Sequence, residues 1–273
     1  ARATGDYKES GYTAAGTNNG YVKNAGVALR FVNREPRFYA SIAYPGSVWE
    51  CESSPDDKYK NQPAFYYYDS RDGRNKGTSD IYPVTGVGLK KYYHPDDAKS
   101  SGSYITEKFE PAIRYADVLL WYAEALNEIK DGVTYEIPAF DNSTNYTIKR
   151  DEAEMRYAMK RIRVRAGVPD FTNEEYANQT EFRTLLKRER QIELFAESKR
   201  YFDLRRWKDA EIEENSPIMG YDIDMSLSQR NNFYTEKVVT SYPKIFMNPK
   251  MYLWPIPEYE MTRNKRLTQN PGW

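Results

Sequence analysis

From Glu110 onward, apolar residues return at three- and four-residue steps. Ile113, Ala116, Leu120, Ala123 and Leu126 make one stripe, and Tyr115, Leu119 and Tyr122 widen it. Pro111 falls at an early helical position, where its missing N–H costs nothing. The spacing predicts a helix that ends at Asp131-Gly132. After an irregular stretch to Ile148, Asp151 is placed to cap a second helix carrying Ala153, Tyr157, Met159, Ile162 and Ala166, stopped by Gly167 and Pro169. Thr172 or Asn173 then precedes Glu174-Glu175, and a short helix follows over Glu175 to Ala177. A long helix is predicted over Glu181 to Trp207, with Leu185, Arg188, Ile192, Phe195 and Ala196 on overlapping faces and a bend near Ser198.

Elsewhere the period is lost. Residues 1–26 are rich in Gly, Thr, Asn and Lys and read as an extended lead-in. Val27 to Phe31 and Arg37 to Ala43 read as short strands, the second ended by the turn pair Pro45-Gly46. Residues 47–103 combine many Gly, Asp, Asn, Ser and Pro residues with scattered aromatics, and loops of that length in a compact protein commonly carry function. Residues 208–250 are irregular again, with Asp222, Asp224, Asn231 and Asn232 in turns and a short strand at Val238-Val239. Near the end, Leu253 and Trp254 form an apolar anchor, and Pro255 and Pro257 remove two donors and end a strand there. The class is mainly α, with long irregular loops and a few short strands, and no domain boundary is evident.

Several of these blocks share an order. They are Glu35-Pro36-Arg37-Phe38-Tyr39 running on to Gly46, Phe109 to Glu128, and Leu186 to Trp207 with its Asp203-Leu204-Arg205-Arg206-Trp207 end. Trp254-Pro255-Ile256-Pro257 and Gln269-Asn270-Pro271-Gly272 complete the series. In this order the chain resembles the SusD/RagB family of outer-membrane nutrient-binding lipoproteins. The resemblance implies one SusD-like C-terminal region over 1–273. Within it, 109–207 would be a scaffold of tetratricopeptide-like helix pairs, 208–273 a closing segment and 47–103 the ligand-binding loops. It also implies non-catalytic capture of oligosaccharide, or alternatively of peptide, at the extracellular face of the outer membrane, and delivery to a SusC-like TonB-dependent transporter. Attachment would be through a lipidated N-terminal cysteine that is absent from this chain. In the same resemblance, Asp203 and Arg206 belong to a framework that locks helix to helix.

Charge narrows the picture. Forty basic and forty acidic residues cancel, which gives no reason to expect nucleic acid as a partner. The single cysteine, Cys51, excludes an internal disulfide and a cysteine-based zinc site. No stretch approaches the about 20 apolar residues needed to span a bilayer. Glu189, Glu193 and Glu197 recur at four-residue steps; they read as helix-face ion pairs, against the rival in which two carboxylates converge as the acid and base of a glycoside hydrolase. His94 sits in a loop with no organised nucleophile motif beside it. No cofactor is called for, and Asp56-Asp57, Asp96-Asp97 and Asp222-Ile223-Asp224 would hold calcium only adventitiously.

Tyrosine is the compositional outlier, with 25 copies against 11 of Phe. An aromatic face stacks on the apolar face of a sugar ring while neighbouring polar groups bond its hydroxyls. By composition and place, Trp49, Tyr67, Arg71 and Tyr92 are the candidate ligand-binding residues. The competing reading is that these aromatics pack into the protein itself.

Overall fold

The computed structural model describes residues 7–75, 81–100 and 104–273. They form two compact units, each assembled from separated stretches: Ala1–Ala64 with Leu89–Glu197, and Phe65–Gly88 with Ser198–Trp273. The fold is mainly helical with short antiparallel strand pairs. Because both units are discontinuous, no change of composition along the chain marks where one gives way to the other.

The first unit is built on α2 (Tyr115–Glu128), α3 (Glu152–Arg165), α4 (Asn173–Ala177) and α5 (Gln179–Glu193), preceded by a short α1 (Pro36–Ser41). Helix α2 packs on α3 and α5, and α4 on α5. Their shared core holds Leu119, Leu120, Ala123, Met155, Ile162 and Phe182 among others. Truncating a side chain as buried as Leu120 to Ala costs about 2–5 kcal/mol in such a setting. The predicted cap of α3 is in place, with the Asp151 carboxylate accepting the Ala153 and Glu154 amides at 2.9 and 3.1 Å. Thr172 and Glu175 close a reciprocal capping box on α4.

Four expectations are corrected. Helix α2 starts at Tyr115, not near Pro111, because the buried Asp117 carboxylate accepts the Arg114 amide at 3.1 Å and fixes the first turn there. Ile113, Tyr115 and Tyr122 are consequently exposed. Arg37 to Ala43 is a helix before it is a strand: Pro36 opens α1, and only Ile42–Ala43 is extended. Val27 to Phe31 forms a 3₁₀ turn over Leu29–Phe31 instead of a strand. The stretch read as irregular before Ile148 contains a hairpin, Thr134–Pro138 paired with Asn145–Lys149. Its register sets Tyr135 opposite Ile148 and Ile137 opposite Tyr146, the alternation a two-stranded ribbon requires.

The long helix predicted to Trp207 is two. Helix α5 ends at Glu193, and α6 (Lys199–Arg206) begins after Ala196 and Ser198 both adopt left-handed conformations, φ 60° and 58°. The break lies where the bend was expected. The buried stripe of α5 also differs from the apolar one, since Phe182, Leu186, Glu189, Arg190 and Glu193 face inward.

In the second unit, Met219–Tyr221 pairs with Glu236–Val238, and Tyr67, Tyr221, Phe233 and Tyr234 cluster edge to face. Arg206 binds Asp203 at 2.8 Å, one turn away within α6, so this pair braces its own helix and does not join two. No strand precedes Pro255; a 3₁₀ turn over Lys250–Tyr252 leads into it. With Pro255 and Pro257 unable to donate, side-chain amides supply the missing partners. Gln269 brackets Ile256, accepting its N–H at 2.8 Å and donating to its carbonyl at 2.9 Å, while Asn270 donates to the Trp254 carbonyl at 2.6 Å. The Trp273 indole N–H closes the tail on the carbonyls of Lys250 and Leu253.

Candidate functional site

An open cleft of about 600 Å³ lies in the first unit, a size within the range of small-ligand sites. Three short pieces of chain meet there: 20–24, 36–50 and 90–95, joined by Asn61. Gly46 makes a tight turn within the second of them; its φ of +95° is left-handed, and a Cβ there would stand 2.6 Å from Val27 Cγ2. Asn24 Nδ2 donates to the Gly46 carbonyl at 3.3 Å, holding the first piece on the second.

The aromatic wall is Tyr21 on Tyr39, rings parallel within 5° at 4.5 Å between centroids. Tyr39 is the fixed member: its hydroxyl donates to the Phe31 carbonyl at 2.9 Å and accepts the Arg34 amide at 3.1 Å. Tyr21 is 53% exposed, so a large part of its ring remains open to a ligand. The same cleft also carries polar groups. Lys90 Nζ is anchored on the Val48 carbonyl at 2.7 Å and reaches the Glu50 carboxylate at 3.2 Å, 5.3 Å from the Tyr93 ring. Tyr93 accepts the Cys51 amide at 2.6 Å, and its ring meets Trp49 edge to face at 4.9 Å. Burial raises the pKa of both Tyr39 and Tyr93, so the two hydroxyls stay protonated throughout the physiological range.

A second cavity of about 490 Å³ shares Ala40 and Lys91 with the cleft. Glu193 and Glu197 line it, and with Glu189 these three glutamates spaced four apart are locked in ion pairs. Glu189 receives Arg37 and Arg163, both at 2.7 Å. Glu193 receives Arg37 at 3.0 Å and Arg114 at 2.8 Å, together with Arg165, and Glu197 receives Arg114 at 2.7 Å and Lys91. Burial pushes the Glu193 carboxyl up, but the bonds from Arg165 and Arg114 outweigh it and hold it below the ordinary value. Burial likewise raises Glu197, and Arg114 with Lys91 overcomes it. A glycosidic acid needs the opposite shift. The hydrolase reading thereby loses the carboxylates it would have used.

The residues singled out in the sequence fall in both units. Trp49, half-buried, backs the cleft through Tyr93. Tyr92 lines the second cavity and donates to the Ala196 carbonyl at 3.0 Å. In the other unit, Tyr67 is not presented on a loop surface: it is 3% exposed, its hydroxyl 2.9 Å from that of Tyr234 and its ring against Phe233. Arg71 is exposed and grips its neighbour Asp72 with two bonds of 3.0 and 2.8 Å. Tyr21, Tyr39, Lys90 and Glu50 escaped the sequence reading. The available signal was Asn19-Gly20-Tyr21, an aromatic on a turn, but it lay in a segment without period.

His94 is exposed, its Nδ1 accepting the Asp96 amide at 3.1 Å. Asp97 is occupied by Lys108 and the His94 and Thr106 amides; burial raises its carboxyl, and these bonds bring it down to about 2. Asp56, Asp57, Asp222 and Asp224 face Lys58, Lys60, Lys237 and Arg74. Among the described residues no group of three or more acidic, histidine or cysteine side chains is arranged to hold a metal, and no helix is long and apolar enough to cross a membrane.

Comparison with known proteins fits this architecture. The profile of the SusD family matches residues 2–273. SusD-like protein P2 of Formosa agariphila is 30% identical over 188 residues, 68% of this chain and 30% of that protein. Among solved structures, a SusD-like protein of Bacteroides fragilis superposes with a TM-score of 0.65 at 27% identity, over 89% of this chain and 40% of the other. BT4246 superposes with a TM-score of 0.70 at 24% identity, over 96% and 39%. The chain thus spans well under half the length of these relatives. A matched profile along nearly all of the chain, with the same helical architecture, places it in one group: the chain belongs to the SusD family.

Proposed function

We propose that this chain takes part in non-catalytic capture of oligosaccharide at the extracellular face of a bacterial outer membrane, for delivery to a TonB-dependent transporter of the SusC type. Family membership supports the role, and the cleft of Tyr21, Tyr39, Lys90 and Glu50 supplies the chemistry. The observation that carries the reading is the exposed Tyr21 ring stacked on a hydrogen-bonded Tyr39, in the same cleft as an anchored Lys–Glu pair. A sugar ring lies on the first while its hydroxyls exchange hydrogen bonds with the second. A few such contacts give an affinity weak enough for release, which handover requires. Trp49 contributes by holding Tyr93 in place.

The test is binding to arrays of oligosaccharides and peptides, with Tyr21→Ala and Trp49→Ala beside the parent chain. Saccharide binding that Tyr21→Ala abolishes supports the cleft. Binding to peptides alone would replace the saccharide reading, and saccharide binding equal in parent and Tyr21→Ala would move the site elsewhere.

A further inference from the structure

Charge along the chain cancels, yet it is not evenly spread over the cavities of the first unit. The two adjoining cavities that share Ala40 and Lys91 are lined by six basic side chains, Lys23, Arg37, Lys90, Lys91, Arg114 and Arg165. Only three acidic ones, Glu50, Glu193 and Glu197, accompany them. A third cavity in the same unit, of about 710 Å³, has the opposite balance, with Arg163 and Arg188 against Glu35, Asp170, Glu175 and Glu189. The basic lining of the cleft and its neighbour is thus not shared by this third cavity.

The pairings show where the excess lies. Glu50 is engaged by Lys90, and Glu197 by Lys91 and Arg114. Glu193 is shared among Arg37, Arg114 and Arg165; Arg37 is met besides by Glu35 and Glu189, and the Arg165 side chain is 58% exposed. No acidic side chain of the cleft is left for Lys23, which is exposed on the piece of chain that carries Tyr21. The cleft thus presents an ammonium two residues from its aromatic platform, and a partly exposed guanidinium lines the adjoining cavity. Concave walls of one sign concentrate ligands of the other.

Resting on the saccharide reading above, we infer that the cleft selects an acidic saccharide, whose carboxylate or sulfate ester is met by Lys23 while the sugar face lies on Tyr21. Neutral sugars would satisfy the Lys90–Glu50 pair but leave the excess positive charge unanswered.

The experiment is calorimetric titration of the chain with three probes: an oligogalacturonate, the same oligomer fully methyl-esterified, and a sulfated galactan oligosaccharide. Each is run at about 0.05 and 0.5 M salt, on the parent, Lys23→Gln and Tyr21→Ala. The inference expects acidic probes to bind more tightly than the ester, to weaken as salt rises, and to lose roughly two- to fivefold in affinity in Lys23→Gln with the ester unaffected. Preference between the carboxylated and sulfated probes then identifies the anionic group. Equal binding of acid and ester, still lost in Tyr21→Ala, overturns the charge selection and leaves the saccharide reading intact. If no probe binds and arrays of other saccharides also fail, the saccharide reading itself falls.

Discussion

Two neighbouring regions of the first unit use nearly the same residue types to different ends. Around the second cavity, arginines and glutamates meet one another: each of Glu189, Glu193 and Glu197 is reached by at least two cations, and all three side chains are almost wholly buried. Along the cleft, Lys90 and Glu50 are also paired, but Glu50 is a third exposed, Tyr21 is half open, and the one carboxylate among the described lining residues is taken by Lys90 and not by Lys23. The first arrangement has little polar capacity left over. The second keeps some in reserve, and a ligand needs that reserve. Charged residues near a cavity therefore do not by themselves mark a site; the accounting of their partners does.

The largest expected effect breaks the first region. Glu193→Gln takes one of several carboxylates from Arg37 and Arg114 and the carboxylate of the exposed Arg165, and should cost about 1–3 kcal/mol of unfolding free energy, read from urea unfolding at neutral pH. A loss under about 1 kcal/mol would mean that the network is no more than surface pairing. The same region sets the acid limit. Glu193 and Glu197 titrate below their ordinary values in the folded chain, so the stability they supply is complete above the ordinary carboxylate range and is lost as pH falls through their folded values. Urea midpoints should fall on acidification below about pH 4.5, less steeply in a Glu193→Gln, Glu197→Gln double variant.

Binding sharpens the contrast. Tyr21→Ala should lower saccharide affinity about tenfold while shifting stability by under about 0.5 kcal/mol, the reverse of Glu193→Gln. The smallest effect is expected at Tyr67→Phe, which removes the hydroxyl shared with Tyr234. It should cost about 1 kcal/mol of stability, with saccharide titrations superimposable on the parent.

Much of the scaffold was legible because α2 and α3 bury apolar stripes at helical spacing, and Asp151 and Thr172 announce their caps. Helix α5 was harder for a physical reason. Its inward face includes Glu189, Arg190 and Glu193, buried by pairing, so a hydropathy pattern pointed to Leu185, Arg188 and Ile192 instead. The strand expected over Arg37 to Ala43 ignored Pro36, whose fixed φ suits a first helical turn. The cleft was the least legible part. Trp49 pointed to its surroundings, but Tyr21, Tyr39 and Lys90 come from three segments that carry no common period. Contacts distant in sequence bring them together: Asn24 on the Gly46 carbonyl, Lys90 on the Val48 carbonyl and Tyr21 on Tyr39. Of the adjacent pair Tyr92-Tyr93, it is Tyr93 that lines the cleft, and nothing in the sequence distinguishes them.

The shared carboxylates have a consequence for substitution. Arg114 serves both Glu193 and Glu197, and Arg37 serves both Glu189 and Glu193, so a change at either arginine takes a partner from two buried carboxylates at once. Exchanging Tyr21 or Lys23 breaks no shared ion pair of that kind. The ligand-facing residues proposed here can therefore be altered one at a time, whereas Arg114 cannot be changed without disturbing two positions together.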